Sequence, residues 1–479
     1  ARSQEPGARS QEPGARSQEP GARSQEPTYK PRITNHQSRV TAFMRSVGLI
    51  TEYNPFHNGH LYHLRESRKA AGAEVAVAVM SGHFLQRGEP ALADKWVRAE
   101  MALRAGVDLV VELPFPFACN SAPHFALGAV RALDAIGCID ALCFGSEAGD
   151  LAVLKRCAEV LSGQEEAVDR AAGELLKRGM TYPEARARVF AELAGGTLDT
   201  EPLRSPNNIL GIEYLKALRA TGSPMRPLTI RRIGAGYHDT LPVDTIASAT
   251  AIREMLRQGR EITDFIPQPA SGPLLQALAA GHTLDPENLH QLLLSRIFLG
   301  PEHLRGVYQV DNGLENRLTA LADESVGYDE LAGAVKSRQL TRTRIQRILS
   351  YILLDAKRED MEAFLDCGPL YLHLLGAGPR GRAFLGSCRK RMTLPLVGNF
   401  SRVYPTLKRF YGEGTERYRL ASRMLEYELR ATRTYTLLMR SWRAGNRNRD
   451  FFEEMIFFGR KGGSQGESRS QKPGAGRKA

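Results

Sequence analysis

The chain has 479 residues, 42% of them hydrophobic, which is enough for two or more domains with buried cores and excludes a wholly disordered protein or a small disulfide scaffold. Its formal charge of +12 is unevenly placed, because Thr341 to Ala479 holds 28 basic and 13 acidic residues and the stretch before it holds 37 and 40. The first part reads as a near-neutral enzyme and the last part as a polyanion binder.

The chain opens on an internal repeat, ARSQEPG, with three complete copies from Ala1 to Gly21 and a truncated fourth ending at Pro27. Each copy balances one Arg against one Glu and offers only Ala as an apolar side chain, so nothing offsets the entropy of ordering. Residues 1–43 are expected to be disordered and removable without loss of activity, with Met44 as a natural start of the folded protein. A second low-complexity tail, basic and also expected to be disordered, covers residues 461–479.

Between the tails, Val47 to Glu52, Glu74 to Met80, Val107 to Leu113 and Ile139 to Gly145 are short apolar runs separated by helix-length segments. Strands alternating with helices in this way predict a parallel sheet covered on both faces. A fifth run, Leu228 to Ile233, follows a helical excursion from Ala148 to Ala220. The strand signal fades after Ile252, and Leu289 to Leu299, Thr341 to Ala356 and Leu420 to Arg443 carry helical periodicity. The predicted fold class is α/β: a Rossmann-like domain with a parallel sheet over residues 44–265, then a mainly α-helical basic domain over 266–460.

Six cysteines (Cys119, Cys138, Cys143, Cys157, Cys367, Cys388) show no C-x-x-C pair, as expected of reduced thiols in a cytoplasmic protein. The longest uncharged stretch, Leu113 to Val130, is broken by Pro114, Pro116, Asn120, Pro123 and His124, so no membrane contact is expected.

The loop after the first strand, Glu52-Tyr53-Asn54-Pro55-Phe56-His57-Asn58-Gly59-His60, leads into a helix. A helix start offers unpaired N–H groups and the positive end of the dipole, a natural phosphate site. His57 and His60 project from one face of its first turn, and Gly59 lets a phosphate approach the backbone. Two imidazoles over an α-phosphate can donate hydrogen bonds to developing charge, each donor being worth about 2.7–4 kcal/mol. Zinc is the weaker reading of His57, His60 and His63, since the spacing is not that of H-E-x-x-H, and no structural metal is expected. A second motif, Ser248-Ala249-Thr250-Ala251-Ile252-Arg253, places hydroxyls at a helix start with an Arg one turn on. Ser248, Thr250 and Arg253 suit phosphate oxygens, although Ser and Thr are also ordinary N-caps. Lys95, on a helix just after the second strand, suits pyrophosphate or solvent equally well.

H-x-G-H after the first strand together with S-x-T-x-I-R resembles the HIGH-type nucleotidyltransferase superfamily. The segments VGLITEYNPFHNGHLYHL, MSGHFLQRGEPALADKW, DLVVELP, FGSE, SPNNILGIEYLKAL and RRIGAGYHD, in that order, resemble the tRNA(Met) cytidine acetate ligase family, with a looser match at NFSRVYP (Asn399 to Pro405). One departure from the wider superfamily is Tyr53-Asn54-Pro55 where many members have Phe-Asp-Pro. The resemblance implies an enzyme that activates acetate with ATP as acetyl-adenylate, assisted by Mg²⁺, and acetylates the wobble cytidine of elongator tRNA(Met). It maps the ATP loop onto Ile50, Thr51, Glu52, Tyr53, Asn54, Pro55, Phe56, His57, Asn58, Gly59, His60, Leu61, Tyr62 and His63. Further nucleotide contacts map onto Gly145, Asn207 and Arg232, with Asn208 and Arg231 as adjacent alternatives.

In the basic part, Leu420, Met424, Tyr427, Ala431, Tyr435, Leu438 and Trp442 form an apolar stripe that reads as core. Arg423, Arg430, Arg433 and Arg440 lie mostly off it and suit RNA phosphates, each contact steepening the salt dependence by roughly 0.7–0.9 in log–log slope. Two alternatives share parts of the pattern: a cofactor adenylyltransferase, which gives no reason for a large basic region, and a non-catalytic tRNA-binding protein.

Overall fold

The computed structural model describes residues 44–457, apart from 181, 194, 196–199, 234–244 and 338–339. The two expected tails and the GAGYHD part of RRIGAGYHD lie outside the described residues. Five strands fall on the five predicted runs: β1 (Ser46–Thr51), β2 (Val75–Ser81), β3 (Leu109–Leu113), β4 (Ala141–Ser146) and β5 (Arg226–Arg231). They lie in the order β5-β4-β1-β2-β3, all parallel, with Ser46 opposite Val75 and Thr51 opposite Met80 in the β1–β2 register.

The strands read as continuous apolar runs because both faces are covered. Val75, Val77 and Val79 of β2 enter one core, together with Leu109 and Val111 of β3. Ala76, Ala78 and Met80 enter the opposite core with Val47 and Leu49 of β1, the period-2 alternation of a strand.

On the other side from the edge strand β5, the sheet continues past β3. Strand β6 (Leu372–Ala377) pairs antiparallel with β3, and β7 (Leu396–Val397) and β8 (Ile456–Phe457) each pair parallel with β6. Both cores also take side chains from either side of residue 265, Leu375 packing in the same core as Val47 and Ile266. The boundary expected there thus divides neither the sheet nor the cores. The helical periodicity holds: helices span Pro286–Ile297, Arg342–Leu353 and Glu416–Leu438. The predicted stripe is buried from Met424 to Leu438, whereas Trp442 lies beyond the helix end and is 41% exposed.

Among the described residues no helix is long and apolar enough to cross a membrane, and all six cysteines are free.

Candidate active site

Chain order runs outward from β1 in both directions, through β2 and β3 on one side and β4 and β5 on the other. The strand ends at such a switch point diverge and leave a crevice. A cavity of about 960 Å³ opens there, at the C-terminal ends of β1, β4 and β5.

The turn after β1 is tightly built. Tyr53 takes a left-handed φ of +50°, uncommon for a bulky residue, and the Asn54–Pro55 peptide is cis. The buried Tyr53 ring meets Phe56 at 4.7 Å and His60 edge-on at 5.0 Å between centroids. Helix α1 (Asn58–Ala71) then starts with His57 as its N-cap. The Gly59 N–H donates to Nδ1 of His57 at 3.1 Å, and the His57 N–H donates to Nδ1 of His60 at 3.3 Å. A neutral imidazole that accepts at Nδ1 carries its proton on Nε2. Both rings, 3.8 Å apart, are therefore N–H donors at Nε2.

Burial, reinforced by the Arg232 cation, lowers His57 to about 3 and His63 to about 4, and burial with the neighbouring His57 and Arg232 lowers His60 well below its ordinary value. The three rings stay neutral at pH 7. The unfolded chain, titrating near 6.5, binds protons first as pH falls, so the stability contributed by neutral burial is complete above about pH 6.5 and declines below it. For His57 the loss is about 1.4 kcal/mol by pH 5.5, which urea midpoints at pH 7.5 and 5.5 measure. The folded site should meanwhile show no histidine inflection in activity between those pH values.

Ile50, Thr51, Glu52, Tyr53, Asn54, His57, Gly59, His60, Tyr62 and His63 line the cavity. Pro55, Phe56, Asn58 and Leu61 do not. Phe56 is core, and the Asn58 amide donates to the carbonyls of Thr245 and Asp264 at 2.9 and 2.8 Å, tying α1 to the segments that flank the second motif. Gly59 also makes room for the His57 ring, since a Cβ there would stand 2.9 Å from Cε1 of His57.

Gly145, Asn207, Arg231 and Arg232 line the cavity, whereas the alternative Asn208 does not. Its Oδ1 accepts the Ala148 N–H at 3.0 Å. Glu147, missed as a site residue, accepts from the Asn207 side chain at 2.6 Å and from the Asn208 N–H at 2.8 Å, so it caps the helix Pro206–Thr221. Its position directly after FGS, one residue past the end of β4, was the available signal.

The second motif faces the first. Ser248 caps the helix Ala249–Arg257 through the Ala251 N–H at 3.1 Å, and Ser248, Thr250 and Arg253 line the cavity. Arg253 donates to the Asn54 carbonyl at 3.0 Å and pairs with Glu89 at 2.9 Å. Gln86 and Arg87 complete this wall.

Lys95 is absent from the cavity. It opens helix α2 (Lys95–Arg104), has no exposed side-chain area, and pairs with Glu112 at 2.9 Å and Asp450 at 2.7 Å. Burial alone would lower its ammonium, but the carboxylates of Asp450 and Glu112 outweigh burial and raise it. Glu112 also contacts His373 of β6, and the Phe400 ring lies 5.8 Å from Lys95 Nζ. The ADKW, VVEL and NFSRVYP matches thus meet in one buried ionic cluster that joins distant parts of the chain.

Among the described residues no group of three or more His, Cys, Asp or Glu converges as a metal cage. The cavity carboxylates Glu52, Glu89 and Glu147 are engaged by the Gln86 N–H, Arg253 and Asn207 respectively. The described side chains do not form a protein-built Mg²⁺ site.

A switch-point cavity with two neutral imidazole donors facing a hydroxyl-and-arginine helix start defines a nucleotidyltransferase of the HIGH class. The profile of the HIGH Nucleotidyl Transferase family matches residues 44–450. The chain belongs to the tRNA(Met) cytidine acetate ligase family within that class. It is 60% identical over 411 residues to the tRNA(Met) cytidine acetate ligase of Syntrophotalea carbinolica, covering 86% of this chain and 98% of that protein. Identity to the ligase of Acetivibrio thermocellus is 38% over 428 residues, covering 86% and 100%. The crystal structure of Thermotoga maritima TmcAL bound with alpha-thio ATP superposes with a TM-score of 0.78 at 34% identity, covering 86% of this chain and 99% of that one.

Of the four arginines expected to meet RNA, two are committed internally. Arg430 donates to the carbonyls of Leu354 and Asp355 at 2.8 and 3.0 Å, closing the end of the helix Arg342–Leu353. Arg423 pairs with Asp360 at 3.0 Å and Glu426 at 2.8 Å. Arg433 and Arg440 are exposed, with contacts of 3.5 Å to Asn448 and Asp285.

Proposed function

We propose that the chain is an ATP-dependent ligase that activates acetate and acetylates the wobble cytidine of elongator tRNA(Met) in the cytoplasm. An acetate oxygen attacks the α-phosphorus of ATP, the bond to the β-phosphate oxygen breaks, and pyrophosphate leaves acetyl-adenylate behind. The N4 amine of cytidine then attacks the acetyl carbonyl, AMP leaves with the bonding pair, and the amine loses a proton.

The observation that carries this reading is the pair of Nε2–H donors on His57 and His60, fixed by backbone hydrogen bonds to Nδ1 and facing Ser248 and Arg253 across one cavity. Donors held in place before charge develops favour the pentavalent state over the ground state. Acetate is a weak nucleophile, so most of the remaining gain must come from holding it in line with the phosphorus. Arg87, Arg231 and Arg232 supply the cationic wall that suits a triphosphate, and Mg²⁺, if carried in on the nucleotide, would add charge neutralisation there.

Labelled pyrophosphate should exchange into ATP only when acetate is present, without tRNA. Nucleotide binding with no acetate-dependent exchange would overturn this mechanism.

A further inference from the structure

The segment that follows the helix Glu416–Leu438 holds an exposed aromatic and cationic step that the ATP site does not use. We infer that Trp442, with Arg447 on its ring, is a stacking platform for an unpaired RNA base. This rests on the tRNA reading above and adds to it a subsite for a nucleotide other than the acetylated one.

Trp442 is 41% exposed, and the Arg447 guanidinium lies 5.3 Å from its ring centroid. Both flanks of the residue are pinned. The Arg440 N–H donates to the Thr283 carbonyl at 3.0 Å and the Ser441 N–H to the Gly281 carbonyl at 2.8 Å, while Asn446 Oδ1 accepts the Arg443 N–H at 3.0 Å. The ring is therefore held outward by a fixed backbone and need not be ordered on binding. Arg443 and Arg447 have no carboxylate partner among the described residues, which contrasts with the internally committed Arg423 and Arg430. Arginines without a carboxylate partner beside an aromatic face are the composition of single-strand sites, in which the base stacks and the guanidinium groups meet phosphate.

The platform is also tied to the rim of the ATP cavity. Leu92 donates its N–H to Asn54 Oδ1 at 2.7 Å and accepts from the Leu284 N–H at 2.9 Å, next to the Thr283 carbonyl that holds Arg440. A tRNA loop bound here is thus anchored to the same backbone that shapes the acylating site.

The chain has two tryptophans, and Trp96 is only 6% exposed, so quenching by a ligand that stacks at the surface reports chiefly on Trp442, over a constant Trp96 background. Titrating the full chain with unmodified elongator tRNA(Met) transcript should quench that emission, and Trp442→Phe should remove the quenching while keeping affinity within a few-fold. Trp442→Ala should weaken tRNA binding roughly 5- to 150-fold, the range of one lost base stack, and leave acetate-dependent pyrophosphate exchange and the melting temperature unchanged. Parental tRNA affinity in Trp442→Ala overturns the inference and leaves this surface to a protein partner. Absence of acetate-dependent exchange in the parent would instead sink the ligase reading, with the fluorescence result standing on its own.

Discussion

Replacing His60 by asparagine lowers acetate-dependent pyrophosphate exchange by about 10²- to 10³-fold, the loss seen when one preorganised donor to a developing oxyanion is removed. Asparagine is the informative substitute because its Oδ1 can take over from Nδ1 as acceptor of the His57 N–H, leaving the start of α1 intact. The Nε2–H facing the cavity has no counterpart in the shorter side chain. His60→Gln, which reaches further, should recover part of the rate. Binding of tRNA to His60→Asn should stay near the parental level, since the exposed basic segment belongs to a different part of the chain. Equal losses in exchange and tRNA binding would falsify this division of labour.

Lys95→Met lowers the stability of the whole chain by about 3–5 kcal/mol, the cost of leaving buried carboxylates without their cation. Lys95 neutralises both Glu112 and Asp450, and all three side chains are buried. Because the helix start, the β3 strand and the C-terminal segment meet at this one ammonium, urea unfolding should show a single transition at a lower midpoint. Adding Glu112→Gln to Lys95→Met removes one orphaned charge and should regain part of the loss, the non-additivity expected of contacting residues. Should Lys95→Met unfold at the parental urea concentration yet lose pyrophosphate exchange, Lys95 would belong to the phosphate site after all.

The parallel strands were legible because each is a short run of β-branched and small apolar residues between helix-length segments, the mark of a sheet buried on both faces. Strand β6 was not. Tyr371-Leu372-His373-Leu374-Leu375 carries a histidine in an apolar run of helix-like composition, and only a partner 261 residues earlier, Glu112, makes that imidazole acceptable in a core. Lys95 failed for the same reason, since a lysine's distant counter-charges leave no local trace and its default reading is solvent or ligand. Arg430 reads as a phosphate contact until the end of another helix is placed beneath it. The His57–His60 spacing and Ser248 cap were readable because both depend on neighbours within one turn. Asn207 and Asn208 are neighbours in sequence, and only the placement of their helix shows that Asn207 lines the cavity while the Asn208 side chain turns to the Ala148 N–H.

The antiparallel insertion of β6 bears on how the chain is made. Until residues 372–377 leave the ribosome, β3 has no partner on its outer side, and its sequence Leu-Val-Val-Glu-Leu is apolar enough to recruit a strand from another chain. Translation therefore delivers every part of the ATP cavity more than a hundred residues before it delivers the strand that seals the sheet. During that interval nascent chains on neighbouring ribosomes are exposed to cross-pairing, and the enzyme's yield in the cell should depend on chaperone supply more than on the stability of the finished fold.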